Sequence, residues 1–250
     1  MNETNITTAA PILHIENMTK LYSNGRGVRD INLDIYPGDI VGLLGPNGSG
    51  KTTIMKVVVG LCHAQSGVCD VFGHPIEREY EQAAAQMSCL IESPALYENL
   101  SAEKNLMLAA RVRGLGKQDA LNALHMVHLD GYERDKVGRF SLGMKQRLGL
   151  AIAMLGDPKF IVLDEPINGL DIEGIVETRE MIVRAAREKG CAFLIASHLA
   201  AEIERTCNKV AVVHEGELFS FTTMDEALRR SPTLEDYFLE EVRKKRGGAL

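Results

Sequence analysis

The stretch Ile40-Val41-Gly42-Leu43-Leu44-Gly45-Pro46-Asn47-Gly48-Ser49-Gly50-Lys51-Thr52 decides the fold. Its first five residues are apolar or glycine without alternation, which predicts a strand buried on both faces of a parallel sheet. The next eight fit G-x-x-x-x-G-K-[ST], and a helix is predicted from about Gly50 to Val59. Three glycines let successive backbone N–H groups face one anion, and the helix N-terminus adds partial positive charge. Lys51 is then the group that reaches β- and γ-phosphates, and the Thr52 hydroxyl is a ligand for Mg²⁺. A glycine-rich strand-to-helix turn without a ligand is the alternative. The strand before the motif and the helix after it favour the phosphate site.

Working outward, Phe160-Ile161-Val162-Leu163-Asp164-Glu165 supplies what a phosphate site lacks. Four apolar residues predict a second buried strand, with two carboxylates at its carboxyl end, where ligands sit in open α/β sheets. Asp164 is the candidate for holding Mg²⁺ through water, and Glu165 for polarising an attacking water. Two adjacent carboxylates at a strand end also fit a solvated turn.

The rest of the chain alternates strands with helices, which predicts α/β. Ile12–Met18 and Val28–Ile35 alternate apolar with polar residues, as half-buried antiparallel strands do. Further strands are predicted at 68–72, 87–91, 192–196, 209–214 and 217–221. From Ser93 to about Leu155 strand signals vanish. Ser101 reads as an N-cap, Lys117–His128 as an amphipathic helix, and Ser141 as the cap of a third helix. The expected organisation is a disordered start at 1–11, a nucleotide core from 12–91 and 157–225, a helical subdomain at 92–156, and a C-terminal helix with a basic tail at 226–250. His125 and His128, three apart on a helix, fit a surface pair better than a metal site.

Composition narrows the function. The chain has 250 residues, 45% hydrophobic and 25% charged, with a formal charge of −6 and no Trp. These values disfavour disorder and a nucleic-acid-binding surface. No apolar run approaches the ~18 residues of a membrane span. Five cysteines without a CxxC pair read as reduced thiols of a cytosolic protein.

Both motifs, with Ser141-Leu142-Gly143-Met144-Lys145-Gln146-Arg147 between them and Ser197-His198 beyond, resemble the ATP-binding subunit of an ABC transporter. The resemblance runs from about Ile12 to Phe238. It implies a P-loop NTPase core with a RecA-like parallel sheet, an antiparallel β-subdomain and an inserted α-helical subdomain. It implies ATP and Mg²⁺ as ligands, with Gly45, Pro46, Asn47, Gly48, Ser49, Gly50, Lys51, Thr52 and Thr53 around the phosphates and Tyr22 stacking on adenine. Taken alone, Tyr22 reads as a packed strand-end residue. The resemblance further implies that Ser141 and Gly143 cap the γ-phosphate of ATP held by a second subunit. Asp171 would then sit at the dimer contact, and His198 would bond the γ-phosphate.

Two positions depart from the family pattern. The signature segment usually reads L-S-G-G-Q, whereas Leu142 and Met144 stand here for a Gly and the Gln. Most relatives carry Gln where this chain has Glu92, in Ile91-Glu92-Ser93-Pro94-Ala95-Leu96-Tyr97. Glu92 is expected to offer Mg²⁺ a charged oxygen and to suffer like-charge repulsion from Asp164, Glu165 and the phosphates. These two runs are similar to the branch that exports or expels bacitracin-like and lantibiotic peptides. The implied partners are an integral membrane permease and a second copy of the chain in an ATP-sandwich dimer, with no nucleic acid. The implied location is cytoplasmic, peripheral on the inner face of the cell membrane. Another transported substrate (an ion, drug or lipid) is the alternative. A non-transport ABC ATPase acting on ribosomes or DNA is a more remote one.

Overall fold

A computed structural model describes residues 10–245 and 247. The disordered start expected at 1–11 lies outside the described residues as far as residue 9, as does Arg246 of the basic tail.

Two sheets organise the described residues. The smaller holds β1 (Leu13–Leu21), β2 (Gly27–Ile35), β4 (Ser66–Val71) and β5 (His74–Pro75) in the order β2-β1-β4-β5, all antiparallel. The larger holds β3 (Ile40–Leu44), β6 (Met87–Leu90), β7 (Phe160–Asp164), β8 (Ala192–Ser197), β9 (Lys209–His214) and β10 (Glu217–Thr223). Its order is β10-β9-β3-β8-β7-β6, parallel except for the β9–β10 pair. Every residue of β3, β7 and β8 is buried, which explains their apolar composition up to Asp164 and Ser197 at the carboxyl ends of β7 and β8. This is the α/β architecture read from the sequence, with a parallel core sheet and an antiparallel sheet beside it.

Helices α1 (Lys51–Val58), α2 (Tyr80–Ala84), α3 (Ala102–Val112), α4 (Lys117–Met126), α5 (Leu142–Met154), α6 (Ile172–Lys189), α7 (Ala200–Thr206), α8 (Met224–Arg230) and α9 (Leu234–Lys245) complete the described chain. Ser101 and Ser141 accept backbone N–H groups from Lys104 and Met144, so both caps form as the sequence indicated. The helix read at 117–128 stops at Met126, because His128 takes a left-handed φ of 55°. Helix α6 is absent from the sequence reading, although Asp171 caps its start and Gly190, at φ 64°, ends it.

The helices between β6 and β7 do not close on a core of their own. Leu106, Leu124 and Leu148 share one hydrophobic cluster with Leu163 and Ile195 of the parallel sheet. A second cluster fills the space between the two sheets and α1, through Met18, Ile31, Leu43 and Ile54. Gly42 lets α7 lie close on β3: a Cβ there would meet Ile203 Cγ2 at 2.4 Å. The effect of this packing is to fix the carboxyl ends of β3, β7 and β8 side by side.

Candidate active site

At the end of β3 the chain curls through Gly45–Gly50 into α1. Gly48 and Gly50 hold φ values of 82° and 114°, which disfavour side chains. At Gly45 the reason is space, since a Cβ would sit 2.0 Å from the Val213 carbonyl oxygen. A cleft of about 410 Å³ opens beside the loop, lined in part by Tyr22, Asn47, Lys51, Thr52, Glu92, Asp164 and Glu165. Ser49 Oγ is buried without a hydrogen-bond partner. Lys51 Nζ donates to the Gly45 and Pro46 carbonyl oxygens at 2.6 and 3.2 Å. A buried cation, an orphaned hydroxyl and a glycine curl fit a polyphosphate.

The two strand-end carboxylates differ in their surroundings. Asp164 is buried and accepts a hydrogen bond from Thr52 Oγ1 at 3.0 Å. Burial pushes its carboxyl above the usual range, and the Glu165 charge adds to this. Thr52, Lys51 and the Glu92 backbone N–H oppose the rise. Burial pulls the Lys51 ammonium down, against the pull of Glu165 and Asp164. Both groups sit with too little opposite charge, a deficit that a phosphate and a cation correct together. Thr52 and Asp164 offer the oxygen donors a hard divalent cation takes.

Glu165 sits at φ 48°, and its carboxylate is held by the end of β8. Oε1 accepts the His198 backbone N–H at 3.0 Å and lies 2.8 Å from His198 Nδ1; Oε2 accepts Ser197 Oγ at 3.3 Å. The structure pairs the Nδ1 side of His198, which the sequence reading assigned to a γ-phosphate, with Glu165. With Nδ1–H donating to the carboxylate, Nε2 of a neutral ring is an acceptor and donates only when the imidazole is protonated.

Glu92 gains a partner that its reading did not include. Its backbone has φ 63° and its carboxylate borders the cleft. Instead of facing like charge alone, it accepts from Lys56 Nζ at 2.6 Å. Tyr22 follows β1 with an exposed ring, with Lys20 Nζ 5.5 Å from its centroid, and lines the cleft. Asn24, Arg26 and Asn168 line it as well. The sequence reading assigns none of the three to the phosphate site, because turn residues carry no pattern of their own.

Ser141, Gly143 and Asp171 are not in this cleft. With Met144, Arg147, Gly169 and Leu170 they line a separate depression, which shares no residue with the first. Ser141 Oγ accepts the Met144 N–H at 3.2 Å. A Cβ at Gly143 would lie 2.8 Å from the Gly169 carbonyl oxygen, so the two loops touch there. Leu142 is 68% exposed, and its side chain lies over Gly169. Asp171 accepts the Gly174 N–H at 2.9 Å, which starts α6 and holds its carboxyl below the usual range. Gln146 was also missed: it is buried, and its Nε2 donates to the Pro166 carbonyl at 3.0 Å, joining α5 to the loop after β7. His125 and His128 face different carboxylates, Asp130 at 3.0 Å and Glu177 at 3.5 Å. No group of three or more His, Cys, Asp or Glu side chains gathered as a metal site occurs among the described residues.

Comparison with known proteins adds a second line. The family model described as "ABC transporter" matches residues 28–168. The bacitracin transport ATP-binding protein BcrA of Bacillus licheniformis is 36% identical over 93% of this chain and 76% of that protein. The lantibiotic transport ATP-binding protein SrtF of Streptococcus pyogenes is 35% identical over 92% of this chain and 97% of that protein. A solved ATP-binding subunit of an ABC transporter superposes with a TM-score of 0.85 at 28% identity, over 92% of this chain and 99% of that one.

Proposed function

This chain belongs to the ABC transporter family as an ATP-binding subunit and ATPase, and on that premise we propose that it powers a separate integral membrane permease. We infer that the permease exports or expels an antimicrobial peptide or a similar amphipathic compound. The relatives named for bacitracin and lantibiotic transport support that substrate class. No helix among the described residues is long and apolar enough to cross a membrane. A membrane partner would therefore carry the substrate path. The chain would be peripheral to it on the cytoplasmic face, joined near the Glu92–Tyr97 segment, where the Tyr97 ring is exposed.

The observation that carries the mechanism is the split site. The cleft holds the phosphate loop, Asp164 and Glu165, while Ser141 and Gly143 line a different depression. A complete site then takes the cleft of one chain and the Ser141 segment of a second copy. The Ser141 cap uses an oxygen lone pair, which leaves the hydroxyl proton free to donate to a phosphate.

Within one cleft the roles are as follows. The loop N–H groups and Lys51 bind the β- and γ-phosphates. Tyr22 offers a ring face to adenine. Mg²⁺, when bound, neutralises charge on the phosphate oxygens; Thr52, Asp164 and Glu92 are the residues that would hold it. Glu165, oriented by Ser197 and His198, polarises the attacking water. Protonated His198 Nε2 would donate to the γ-phosphate. Asp171 would meet the second copy. Catalysis is positioning and electrostatics, with no covalent intermediate.

Two measurements test this. Lys51→Ala is expected to abolish ATP binding or turnover in a phosphate-release assay; undiminished turnover would exclude the role of the loop. Purification of the tagged chain from membranes is expected to bring an integral membrane protein with it. Recovery of ribosomes or DNA instead would overturn the transport reading.

A further inference from the structure

Glu92 stands at the end of β6, and its carboxylate borders the same cleft as Asp164 and Glu165. Three carboxylates around a polyphosphate site repel the ligand that the site binds. Lys51 supplies one opposing charge from within the loop. Lys56 supplies another from one helical turn beyond Thr52 on α1. Its Nζ donates to Glu92 Oε1 at 2.6 Å, and the side chains of Lys56 and Glu92 are 31% and 63% exposed. A pair this open to water adds little to fold stability. Its Glu92 end borders the phosphate cleft, which gives the pair a different use.

We propose that Lys56 is a positioning residue for the nucleotide: its ammonium cancels the charge of the Glu92 carboxylate and holds that carboxylate to the cleft wall beside α1. The proposal rests on the reading of the cleft as the ATP site. It predicts that Lys56 matters only while residue 92 is acidic. Because the pair is half open to solvent, its effect on ligand binding is moderate and salt-sensitive.

The experiment is a double-mutant cycle read by binding of a fluorescent ATP analogue to the full chain in chelator, so that turnover plays no part. Lys56→Met keeps the aliphatic stem and removes the charge. It is expected to weaken binding about threefold to tenfold, and less at high salt. Glu92→Gln alone is expected to bind more tightly than wild type. The double variant is expected to bind like Glu92→Gln alone, to within about twofold. A double variant as weak as Lys56→Met would overturn the proposal, because Lys56 would then act on the nucleotide or on the fold itself. Unchanged binding by Lys56→Met would overturn it as well. Failure of the wild-type chain to bind the analogue would strike the ATP-site reading instead, and the wild-type curve reports that separately.

Discussion

Lys51 and Asp164 are both held against their preference for water. Burial lowers the amine and raises the carboxyl, and the two charges offset that cost only in part. Such a pair is unfavourable in the free fold and favourable once phosphate and cation arrive, which ties affinity to the same burial that destabilises. The cysteines show burial without function. Burial pushes the Cys69 and Cys191 thiols up to about 12 and raises Cys207 further, so none is a thiolate at neutral pH. In a thiol-reagent titration of the native protein these three are expected to stay unreactive and to appear only in denaturant. Prompt labelling of all five would contradict the packing. At this scale Lys51, Thr52, Asp164 and Glu165 were legible, because motif spacing reports chemistry directly. The Glu165–His198 bond and the Lys56–Glu92 pair were not, since each joins residues far apart in sequence whose meeting depends on strand order.

Among the elements, α5 and α6 show how one polar residue serves two ends. Ser141 caps α5 and faces the depression assigned to a second copy. Asp171 caps α6 and lies in the same depression. The Gly174 N–H holds the Asp171 carboxyl below its usual range, so the ionised cap stabilises the fold at neutral pH. That contribution is fully present above the ordinary Asp value of 3.8 and is lost as pH falls through the lower native value. Asp171→Ala is therefore expected to lower the urea midpoint at neutral pH, with the gap to wild type closing in strong acid. A gap that stays constant with pH would show that the charge is not what matters. Buried strands β3, β7 and β8 were legible because an unbroken apolar run between polar turns fits little besides a strand covered on both faces. Helix α6 was passed over: Thr178, Ile182, Ala185 and Ala186 form its buried stripe, but charged residues crowd the intervening positions.

For the whole molecule, the separation of the cleft from the Ser141–Asp171 depression is what makes a second copy part of the proposed enzyme. Glu165→Gln keeps a similar side chain beside the end of β8 while removing the carboxylate proposed to polarise water. It is expected to bind ATP without turning it over and to elute as a dimer in size-exclusion chromatography with ATP and Mg²⁺. A protein that stays monomeric under those conditions would contradict the sandwich. Motif order and apolar runs determined, from the sequence alone, an α/β chain with a phosphate loop, a strand-end carboxylate pair and a run of helices between β6 and β7, and the resemblance carried by those motifs added the ATPase subunit. Those features are local, because a strand, a turn and a helix cap are set by neighbouring residues. Only the tertiary structure decided which carboxylate faces which cation, that the helices share their core with the parallel sheet, and that the signature segment lies away from the phosphate loop. Each of these is a long-range contact, fixed by how sheets and helices pack rather than by any short pattern of residues.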